Sequence, residues 1–345
     1  MVRNYGLQPI KVGAVVLPNP VFLAPMAGIT DYPFRCLARS FGAGLVVSEM
    51  IASQALIRNS VRSVRMAGTA EEEFPLAVQI SGSDPVVMAE AARINESLGA
   101  AIIDINMGCP QRKIVKTGAG ASLMRDEVLA GRVIEAIVKA VSAPVTVKIR
   151  LGWDHKSINA FRIAKIAQDS GASLVTVHGR TRSRMFSGKA DWSAIREVKE
   201  AVSIPVIANG DIQSPKDASL CLDVSRADGI MVGRGALGRP WLFDQIRHFL
   251  KTGEDKRPPG LEDQYAVAKK HFERIVDFYG LPVGLWLSRK HLAWYTKGLH
   301  GSALFRKSLN NTKSFDEAKE LLRHFYKTLL NTPINSRPPD FEGHI

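Results

Sequence analysis

The amino-acid sequence predicts an α/β fold in which eight parallel strands close into a barrel, with an all-helical domain after it. Short apolar runs rich in Val and Ile recur as far as Val232, and they are nearly continuous in apolar character, as strands buried on both faces are. Segments with helical periodicity separate these runs, and eight strand–helix units are typical of a (β/α)8 TIM barrel. After the polar stretch TGEDKRPPG only helical periodicity follows, which indicates the second domain.

The predicted strands and helices alternate along the chain. Eight apolar runs are expected to form the barrel: Val21–Met26, Leu45–Met50, Leu76–Ile80, Ala101–Asn106, Val145–Ile149, Leu174–Val177, Val206–Asn209 and Gly229–Val232. Between them we predict helices such as Asp84–Leu98 and Asp126–Val141, and an acceptor residue before proline, as in Ser83-Asp84-Pro85, is typical of a helix start. Gly6–Pro18 is predicted to form a small hairpin that plugs the barrel floor.

A doubly wound open sheet is the alternative arrangement of such units. That fold usually carries the sequence GxGxxG after its first strand. Here the first strand ends in Ala24-Pro25-Met26-Ala27-Gly28, which differs from that pattern and favours the barrel.

The domain boundaries are predicted around the polar, Pro- and Gly-rich stretch. Residues 1–250 are assigned to the barrel domain, 251–260 to a linker, 261–331 to the helical domain and 332–345 to a loosely ordered tail. The helical domain is expected to contain four helices: Glu262–Tyr279, Val283–Lys297, Ser302–Leu309 and Phe315–Leu330.

The composition restricts the class of protein. With 46% hydrophobic and 23% charged residues among 345, the chain resembles soluble globular proteins, and its net charge of +13 favours a polyanionic partner, although solubility alone is the alternative. Cys36, Cys109 and Cys221 form no CxxC pair and no metal-ligand spacing, so we expect no disulfide framework, no metal and a reducing, cytoplasmic location. The sequence begins without a signal-peptide pattern, and no apolar stretch reaches the roughly 18 residues of a membrane span.

Polar residues recur at the C-terminal ends of the predicted strands, where barrels of this class carry their chemistry. These residues are Glu49, Gln79, Asn106, Lys148, Arg150, His178, Arg180, Arg182, Asn209, Asp211 and Arg234. A polar residue inside an apolar strand is costly unless it is paired or used. Any single one could be a satisfied structural residue, but their recurrence at the same end predicts a functional mouth.

Two glycine turns predict a phosphate site. Asn209-Gly210-Asp211 follows the seventh strand and Gly233-Arg234-Gly235 follows the eighth, the two loops in which many such barrels hold a phosphate. Ordinary tight turns are the alternative.

Cys109 lies between Gly108 and Pro110 on the loop after the fourth strand, where a thiol would face the mouth. An ordinary thiol is mostly protonated at neutral pH, which suits an acid that donates a proton. No His or Asp adjoins Cys109 in the sequence, so nothing supports a cysteine protease.

Other side chains at the mouth have structural alternatives. Lys148 is a candidate for stabilising negative charge on a ligand, and a salt bridge to Asp104 or Glu49 is its alternative role. The amides of Gln79 and Asn106 are suited to binding ring carbonyl and N–H groups. Their alternative role is hydrogen bonding within the core.

At these residues the sequence closely resembles the tRNA-dihydrouridine synthases, and the resemblance covers almost the whole chain. The matching motifs are Ala24-Pro25-Met26-Ala27-Gly28, Gln79-Ile80-Ser81-Gly82, Asp104-Ile105-Asn106-Met107-Gly108-Cys109-Pro110, Val147-Lys148-Ile149-Arg150, Val177-His178-Gly179-Arg180-Thr181-Arg182, Ala208-Asn209-Gly210-Asp211 and Gly233-Arg234-Gly235. The NxGCP and HGRT motifs are specific in combination.

The resemblance implies an FMN-binding barrel, a helical domain that grips tRNA, and NADPH as the reductant. It implies that the flavin is bound by Pro25, Met26, Ala27, Gln79, Lys148, His178, Asn209, Gly210, Asp211, Gly233 and Arg234. It also implies that Asn106 holds the uracil, that Arg180 and Arg182 lie near the substrate nucleotide, and that Cys109 donates a proton to uracil C5 after C6 has received a hydride. The target uridine would flip into the mouth. The bacterial B-type branch is the most similar, which implies position 17 of the D-loop.

The helical domain contains a basic stretch without acidic residues. From Phe278 to Phe315 there is no Asp or Glu, and the predicted tRNA contacts there are Arg289, Lys290 and Lys297, interleaved with Trp286 and Trp294. Core packing is the alternative for the two tryptophans.

Two other functions stay open. A flavin barrel that acts on a free pyrimidine, of the dihydroorotate dehydrogenase type, would share the flavin residues but would not need the basic helical domain. A tRNA-binding factor without catalysis would not need Cys109, Lys148 and His178. We expect this chain to be a monomer.

Overall fold

The computed structural model describes residues 7–57 and 71–332 of the chain. Its strands are β1 (Ile10–Val12), β2 (Val15–Leu17), β3 (Val21–Leu23), β4 (Leu45–Val47), β5 (Ile51–Ala52), β6 (Leu76–Ser81), β7 (Ile102–Met107), β8 (Val145–Arg150), β9 (Leu174–His178), β10 (Val206–Asn209) and β11 (Gly229–Val232).

The strands from β3 onward form a closed parallel barrel, as predicted. Each strand pairs with its neighbours in the order β3-β4-β6-β7-β8-β9-β10-β11, and β11 pairs with β3 to close the barrel. The second barrel strand is interrupted at residues 48–50, so that β4 and β5 pair in turn with the two ends of β6. The first strand ends earlier than predicted, at Leu23, because Pro25 has no N–H to donate to a neighbouring strand.

Helices cover the outside of the barrel and form the C-terminal part of the chain. They are α1 (Tyr32–Ser40), α2 (Ser53–Ile57), α3 (Pro85–Ser97), α4 (Arg112–Val115), α5 (Glu127–Val138), α6 (Ala160–Asp169), α7 (Ser193–Ala201), α8 (Pro215–Ser225), α9 (Leu242–Thr252), α10 (Leu261–Tyr279), α11 (Val283–Tyr295), α12 (Ser302–Asn311) and α13 (Phe315–Asn331). Several begin where an acceptor side chain precedes the first turn: Asp84 accepts from two backbone N–H groups of α3, and Ser214 accepts from Asp217 of α8.

The N-terminal hairpin closes the floor of the barrel. β1 and β2 are antiparallel, and Ile10, Val12 and Leu17 are buried in one cluster with barrel residues such as Phe22 and Ile207. The predicted hairpin and its place are therefore confirmed for residues 7–18.

The end of the barrel part differs slightly from the prediction. Helix α9 continues to Thr252 and ends at Gly253, whose φ of 79° is a left-handed conformation that glycine adopts easily, so residues 251–252 are helical rather than linker. The tail lies outside the described residues beyond Thr332. The division into a barrel domain and a helical domain stays a prediction.

The C-terminal helices pack on the barrel through α1. Phe34 of α1 lies against His271 of α10 and His291 of α11, with ring centroids 5.5 and 5.7 Å apart. In the ranges 7–57 and 71–332, no helix is both long enough and apolar enough to cross a membrane.

Candidate functional site

A cavity of about 410 Å³ opens at the C-terminal ends of the barrel strands. The predicted site residues that line it are Pro25, Met26, Ala27, Gln79, Asn106, Cys109, Lys148, His178, Asn209, Gly210, Asp211, Gly233 and Arg234. Its volume lies within the range of small-molecule and cofactor sites. The barrel topology brings these residues together because parallel strands all end at the same face.

Lys148 lies in the wall of the cavity and is hydrogen-bonded to Asn209. Its Nζ donates to Asn209 Oδ1 at 3.0 Å, while Asn209 Nδ2 donates to the Met231 carbonyl at 2.7 Å. Burial, together with the nearby Arg150, lowers the pKa of Lys148 to about 8, and Asp104 opposes this. Among the described residues Lys148 forms no salt bridge, so the alternative of an ion pair with Asp104 or Glu49 is not realised. An anion in the cavity would favour the charged ammonium.

A row of hydrogen bonds runs beneath the cavity from β8 to the cysteine loop. Thr146 Oγ1 donates to Asp104 Oδ1 at 2.6 Å, and Gln79 Nε2 donates to Asp104 Oδ2 at 2.7 Å. Asn106 Nδ2 donates to Gln79 Oε1, also at 2.7 Å. Asn106 Oδ1 then accepts from the backbone N–H groups of Gly108 at 3.1 Å and Cys109 at 2.8 Å. The row therefore anchors the loop that carries the thiol.

Asp104 at the start of this row is buried below the cavity floor. Burial raises its pKa to about 6, although hydrogen bonds from Thr146 and Gln79 and the charge of Lys148 all oppose the rise. These three groups favour the ionised carboxylate over the acid.

Arg180 is buried and does not line the cavity, and its place near the nucleotide stays a prediction. Its side chain is 2% exposed and forms a salt bridge with Asp211 at 2.5 Å. The same guanidinium donates to the carbonyls of Ser187 and Gly188 and lies 3.3 Å from His178 Nε2. Arg180 thus ties the loop after β9 to the loop after β10.

Arg182 also lies beside the cavity rather than in its wall. Its guanidinium stacks on the Trp153 ring at 4.6 Å, and Arg125 lies at the same distance from that ring. Its Nε is buried without a hydrogen-bond partner among the described residues.

His178 is held neutral by its surroundings. Burial and the charges of Lys148, Arg150, Arg180 and Arg234 keep its pKa well below the ordinary value. Because a guanidinium only donates, Arg180 binds His178 at a ring nitrogen that accepts. Neutral His178 thus adds polarity to the cavity wall without adding charge.

The turns after β10 and β11 form the far end of the cavity. Gly210 has φ of +118°, and a Cβ there would lie 2.8 Å from the Ala190 side chain, so only glycine fits. Arg234 is half exposed, at 52%, and its guanidinium lies 3.3 Å from Asp211 Oδ1. Glycine backbone beside an exposed guanidinium suits a phosphate group.

These observations test whether FMN fits the cavity. The lining combines the apolar Pro25, Met26 and Ala27 with the amides of Gln79 and Asn106 and the ammonium of Lys148, and it includes Arg234 at the glycine turns. A flat ring with polar edges and a phosphate tail requires these three environments. The residues present fit the group.

Sequence reasoning missed two side chains of the cavity wall. Arg150 is 2% exposed and binds the carbonyls of Gly108, Thr181 and Met185, which links the loop after β7 to the loop after β9. Phe186 is 47% exposed, and its ring lies 5.6 Å from the Arg150 guanidinium and 5.0 Å from that of Arg234. The sequence places Arg150 at a strand end but gives no signal of its role. Phe186 lies within a long loop, where strand-end reasoning gives no signal.

The three predicted tRNA contacts in the helical part have different surroundings. Arg289 donates to the Thr312 carbonyl at 2.6 Å. Lys290 Nζ donates to the carbonyl of Gly28, whose own N–H binds Glu49. Lys297 is exposed. The structure thus leaves Lys297 facing solvent, whereas Arg289 and Lys290 are bound to the protein.

The two tryptophans of the basic stretch differ in exposure. Trp286 is 58% exposed, whereas Trp294 is half-buried beside His291, with ring centroids 5.1 Å apart. Core packing therefore accounts for Trp294 and not for Trp286. Across the described ranges, no three His, Cys, Asp or Glu side chains are grouped so as to hold a metal ion.

Solved structures with similar folds include two larger oxidoreductases. Histamine dehydrogenase from Rhizobium sp. superposes with a TM-score of 0.55 at 14% identity, covering 79% of this chain and 51% of that one. A 2-naphthoyl-CoA reductase gives a TM-score of 0.57 at 14% identity, covering 72% and 52%. The chain spans about half the length of these two proteins, and at this identity the likeness concerns the fold alone.

Sequence relatives cover nearly the full chain. A probable tRNA-dihydrouridine synthase of Rickettsia bellii is 51% identical over 323 residues, which make up 93% of this chain and 99% of that protein. The tRNA-dihydrouridine synthase B of Pseudomonas aeruginosa is 44% identical over 321 residues, or 93% and 96% of the two chains. The family described as dihydrouridine synthase matches residues 22–331. The resemblance read from the motifs is confirmed, and the chain belongs to the dihydrouridine synthase family.

Proposed function

We propose that this chain is a flavin-dependent oxidoreductase that reduces the C5=C6 bond of a uridine in tRNA to give 5,6-dihydrouridine. The observation that carries the proposal is the meeting of Cys109, Asn106 and Lys148 in one cavity of a barrel that belongs to the dihydrouridine synthase family. The tRNA-dihydrouridine synthases of similar sequence support tRNA as the substrate.

FMN is the proposed cofactor and NADPH the proposed reductant. When bound, FMN supplies the hydride for uracil C6. Pro25, Met26 and Ala27 would hold the ring by apolar contact, and Gln79 would bind its polar groups. Lys148 would favour negative charge on the ring through its ammonium, and neutral His178 would border it. The phosphate group of FMN would be held by Asn209, Gly210, Asp211, Gly233 and Arg234. Among these, Asp211 orients the guanidinium of Arg234.

Cys109 is the proposed proton donor to uracil C5. It is half-buried in the cavity wall, whereas Cys36 and Cys221 are buried elsewhere. The Asn106 side chain fixes the Cys109 backbone and itself lines the cavity, so the donor and the group that holds the uracil are positioned together. Proton donation at C5 balances the hydride received at C6.

The proposed tRNA surface extends from the mouth to the helical part of the chain. Lys297 and the exposed Trp286 supply a cation and a stacking face, a combination with which proteins hold RNA. We propose that Arg180 acts by holding the loop after β9, and that Arg182 lies near the nucleotide. Position 17 of the D-loop, a cytoplasmic location and a monomer remain predictions.

A spectroscopic assay tests this function. The purified protein should show flavin absorbance that bleaches with NADPH and returns when unmodified tRNA is added, with dihydrouridine formed. Flavin that ignores tRNA but is reoxidised by a free pyrimidine would indicate a small-molecule dehydrogenase instead. A colourless protein that binds tRNA and cannot take up FMN would mean that the barrel is a scaffold.

A further inference from the structure

We propose that Asp104 is a positioning residue that fixes the direction of the hydrogen-bond row beneath the cavity, and thereby which atom Asn106 presents to the base. The inference rests on the proposed function. It concerns the row from Thr146 through Asp104, Gln79 and Asn106 to the Cys109 loop.

The direction of the row is determined at both ends. An ionised carboxylate has only acceptor atoms, so Gln79 must turn its amide nitrogen toward Asp104 and its oxygen toward Asn106. The backbone N–H groups of Gly108 and Cys109 only donate, so Asn106 must turn its oxygen toward them. The two requirements agree, and each amide is left with a single orientation.

The orientation decides what Asn106 offers to a ligand. Its oxygen accepts two backbone hydrogen bonds, which occupy both of its lone pairs. One N–H is bound to Gln79, and the other has no hydrogen-bond partner among the residues described. Asn106 therefore presents a donor alone to the cavity. This donor matches the C4 carbonyl of uracil, and at that position it would meet the amino group of a cytosine donor to donor.

A packing role for Asp104 makes a different prediction from a hydrogen-bonding role. Asp104 is buried, at 4% exposure. Leucine and asparagine both keep the branched side chain of four heavy atoms that aspartate has, and leucine is the larger, but only asparagine still accepts from Gln79. Asp104→Leu leaves the Gln79 N–H buried without an acceptor, which would free the amide to turn.

Thr146 supplies a sharper test because its hydroxyl both donates and accepts. In Asp104→Asn the new amide N–H can turn to the Thr146 hydroxyl, while the amide oxygen still faces Gln79 and the direction is kept. If Thr146→Val is added, that N–H has no acceptor unless the amide turns over and reverses the row. The two changes should then be strongly non-additive.

The experiment measures each holoenzyme in two ways. The first is kcat and KM for unmodified tRNA, and the second is the rate at which iodoacetamide alkylates Cys109 without RNA. Asp104→Asn and Thr146→Val alone should each keep kcat/KM within about threefold of the parent. The Asn/Val double variant and Asp104→Leu should lose roughly thirtyfold or more, and their Cys109 should react roughly tenfold faster because its loop is released. Asp104→Asn combined with Thr146→Ser keeps a hydroxyl and is the matched control.

Several outcomes would overturn the proposal. These are an Asp104→Leu enzyme as active as Asp104→Asn, an Asn/Val double variant that equals the product of its single changes, or an unchanged alkylation rate. If Asp104→Leu does not fold, the double-mutant cycle of Asp104→Asn and Thr146→Val still tests the proposal, because both changes nearly keep the side-chain volume. An inactive parent enzyme would contradict the proposed function instead, so the two failures are distinguishable.

Discussion

At the scale of single residues, burial divides the arginines around the cavity into two kinds. Arg150 and Arg180 are each 2% exposed. Arg150 donates hydrogen bonds to backbone carbonyls, and Arg180 donates to Asp211. The Arg234 side chain is 52% exposed, and beyond its contact with Asp211 it is open to an anion from solvent. The buried pair therefore shapes the mouth, whereas Arg234 is placed to meet a ligand.

Replacement of Arg180 by lysine tests this division. Lysine keeps the charge but cannot reach the carbonyls of Ser187 and Gly188 and Asp211 together, because it lacks the planar fork of donors. We expect Arg180→Lys to lower the free energy of unfolding by about 2–3 kcal/mol, as the loss of buried charged hydrogen bonds does. Urea unfolding of the holoenzyme measures this. Arg184→Lys, on an exposed side chain of the same loop, is the control and should leave the value unchanged.

The role of Cys109 is also decided at this scale. Cys109→Ala should keep FMN and its reduction by NADPH, because the thiol is proposed to act only at uracil C5. Formation of dihydrouridine should fall by roughly a hundredfold or more, the usual contribution of a positioned acid. Cys221→Ala, at a buried thiol that does not line the cavity, should leave the rate unchanged. Normal turnover by Cys109→Ala would remove the thiol from the mechanism.

At the scale of elements, α11 is tied to the loop that follows β3. Lys290 of α11 binds the Gly28 carbonyl, and the Gly28 N–H binds Glu49, which lies within the interruption between β4 and β5. Lys290 is half-buried; burial lowers its pKa, while Asp31 and Glu49 oppose the change. Since Pro25–Ala27 directly precedes Gly28, the hydrogen bond between Lys290 and Gly28 also restrains the residues proposed to contact the flavin.

Lys290 and Lys297 should therefore differ in what they affect. Lys290→Met should weaken FMN binding severalfold, measured by the flavin fluorescence of the released cofactor, because the loop at Gly28 loses its tether. Lys297→Met should leave FMN binding alone and reduce the salt dependence of tRNA affinity by about one phosphate contact. If both variants change the tRNA affinity equally and neither changes the FMN affinity, Lys290 belongs to the surface that contacts RNA.

The contact between α10 and the barrel also has a pH dependence. Burial lowers the pKa of His271 to about 3, and its Nδ1 lies 3.1 Å from the Tyr295 hydroxyl. Between about pH 6.5 and 3 the unfolded chain takes up a proton that the folded chain does not, so stability falls as the pH falls through this window.

A substitution at His271 isolates that contribution. Between about pH 7.5 and 5, His271→Phe should lose about 2 kcal/mol less of its free energy of unfolding than the parent does. Its stability at the higher pH is also lower, since Tyr295 loses a partner, but that cost cancels in the difference. The exposed His324→Gln is the control, and parallel pH profiles for His271→Phe and the parent would contradict the assignment.

At the scale of the whole molecule, the barrel and most of its mouth were predictable from local patterns. Buried parallel strands have a recognisable composition, and the polar residue that ends each strand must lie at the common face. The surroundings of a side chain were not predictable in this way. Lys290 binds the carbonyl of Gly28 across 262 residues of sequence, and charge alone suggested an RNA contact. Arg180 likewise depends on Asp211, 31 residues away.

The hairpin beneath the barrel has a kinetic consequence. β1 and β2 fill the floor of the described barrel, so a ligand of the cavity enters by the C-terminal mouth. If NADPH and the uridine both reach the cofactor through this one mouth, the first must leave before the second can bind. Initial rates at several fixed tRNA concentrations should then give parallel lines in double-reciprocal plots, the signature of a ping-pong reaction. Intersecting lines would mean that both substrates occupy the enzyme together, and that the nicotinamide reaches the flavin by a second route.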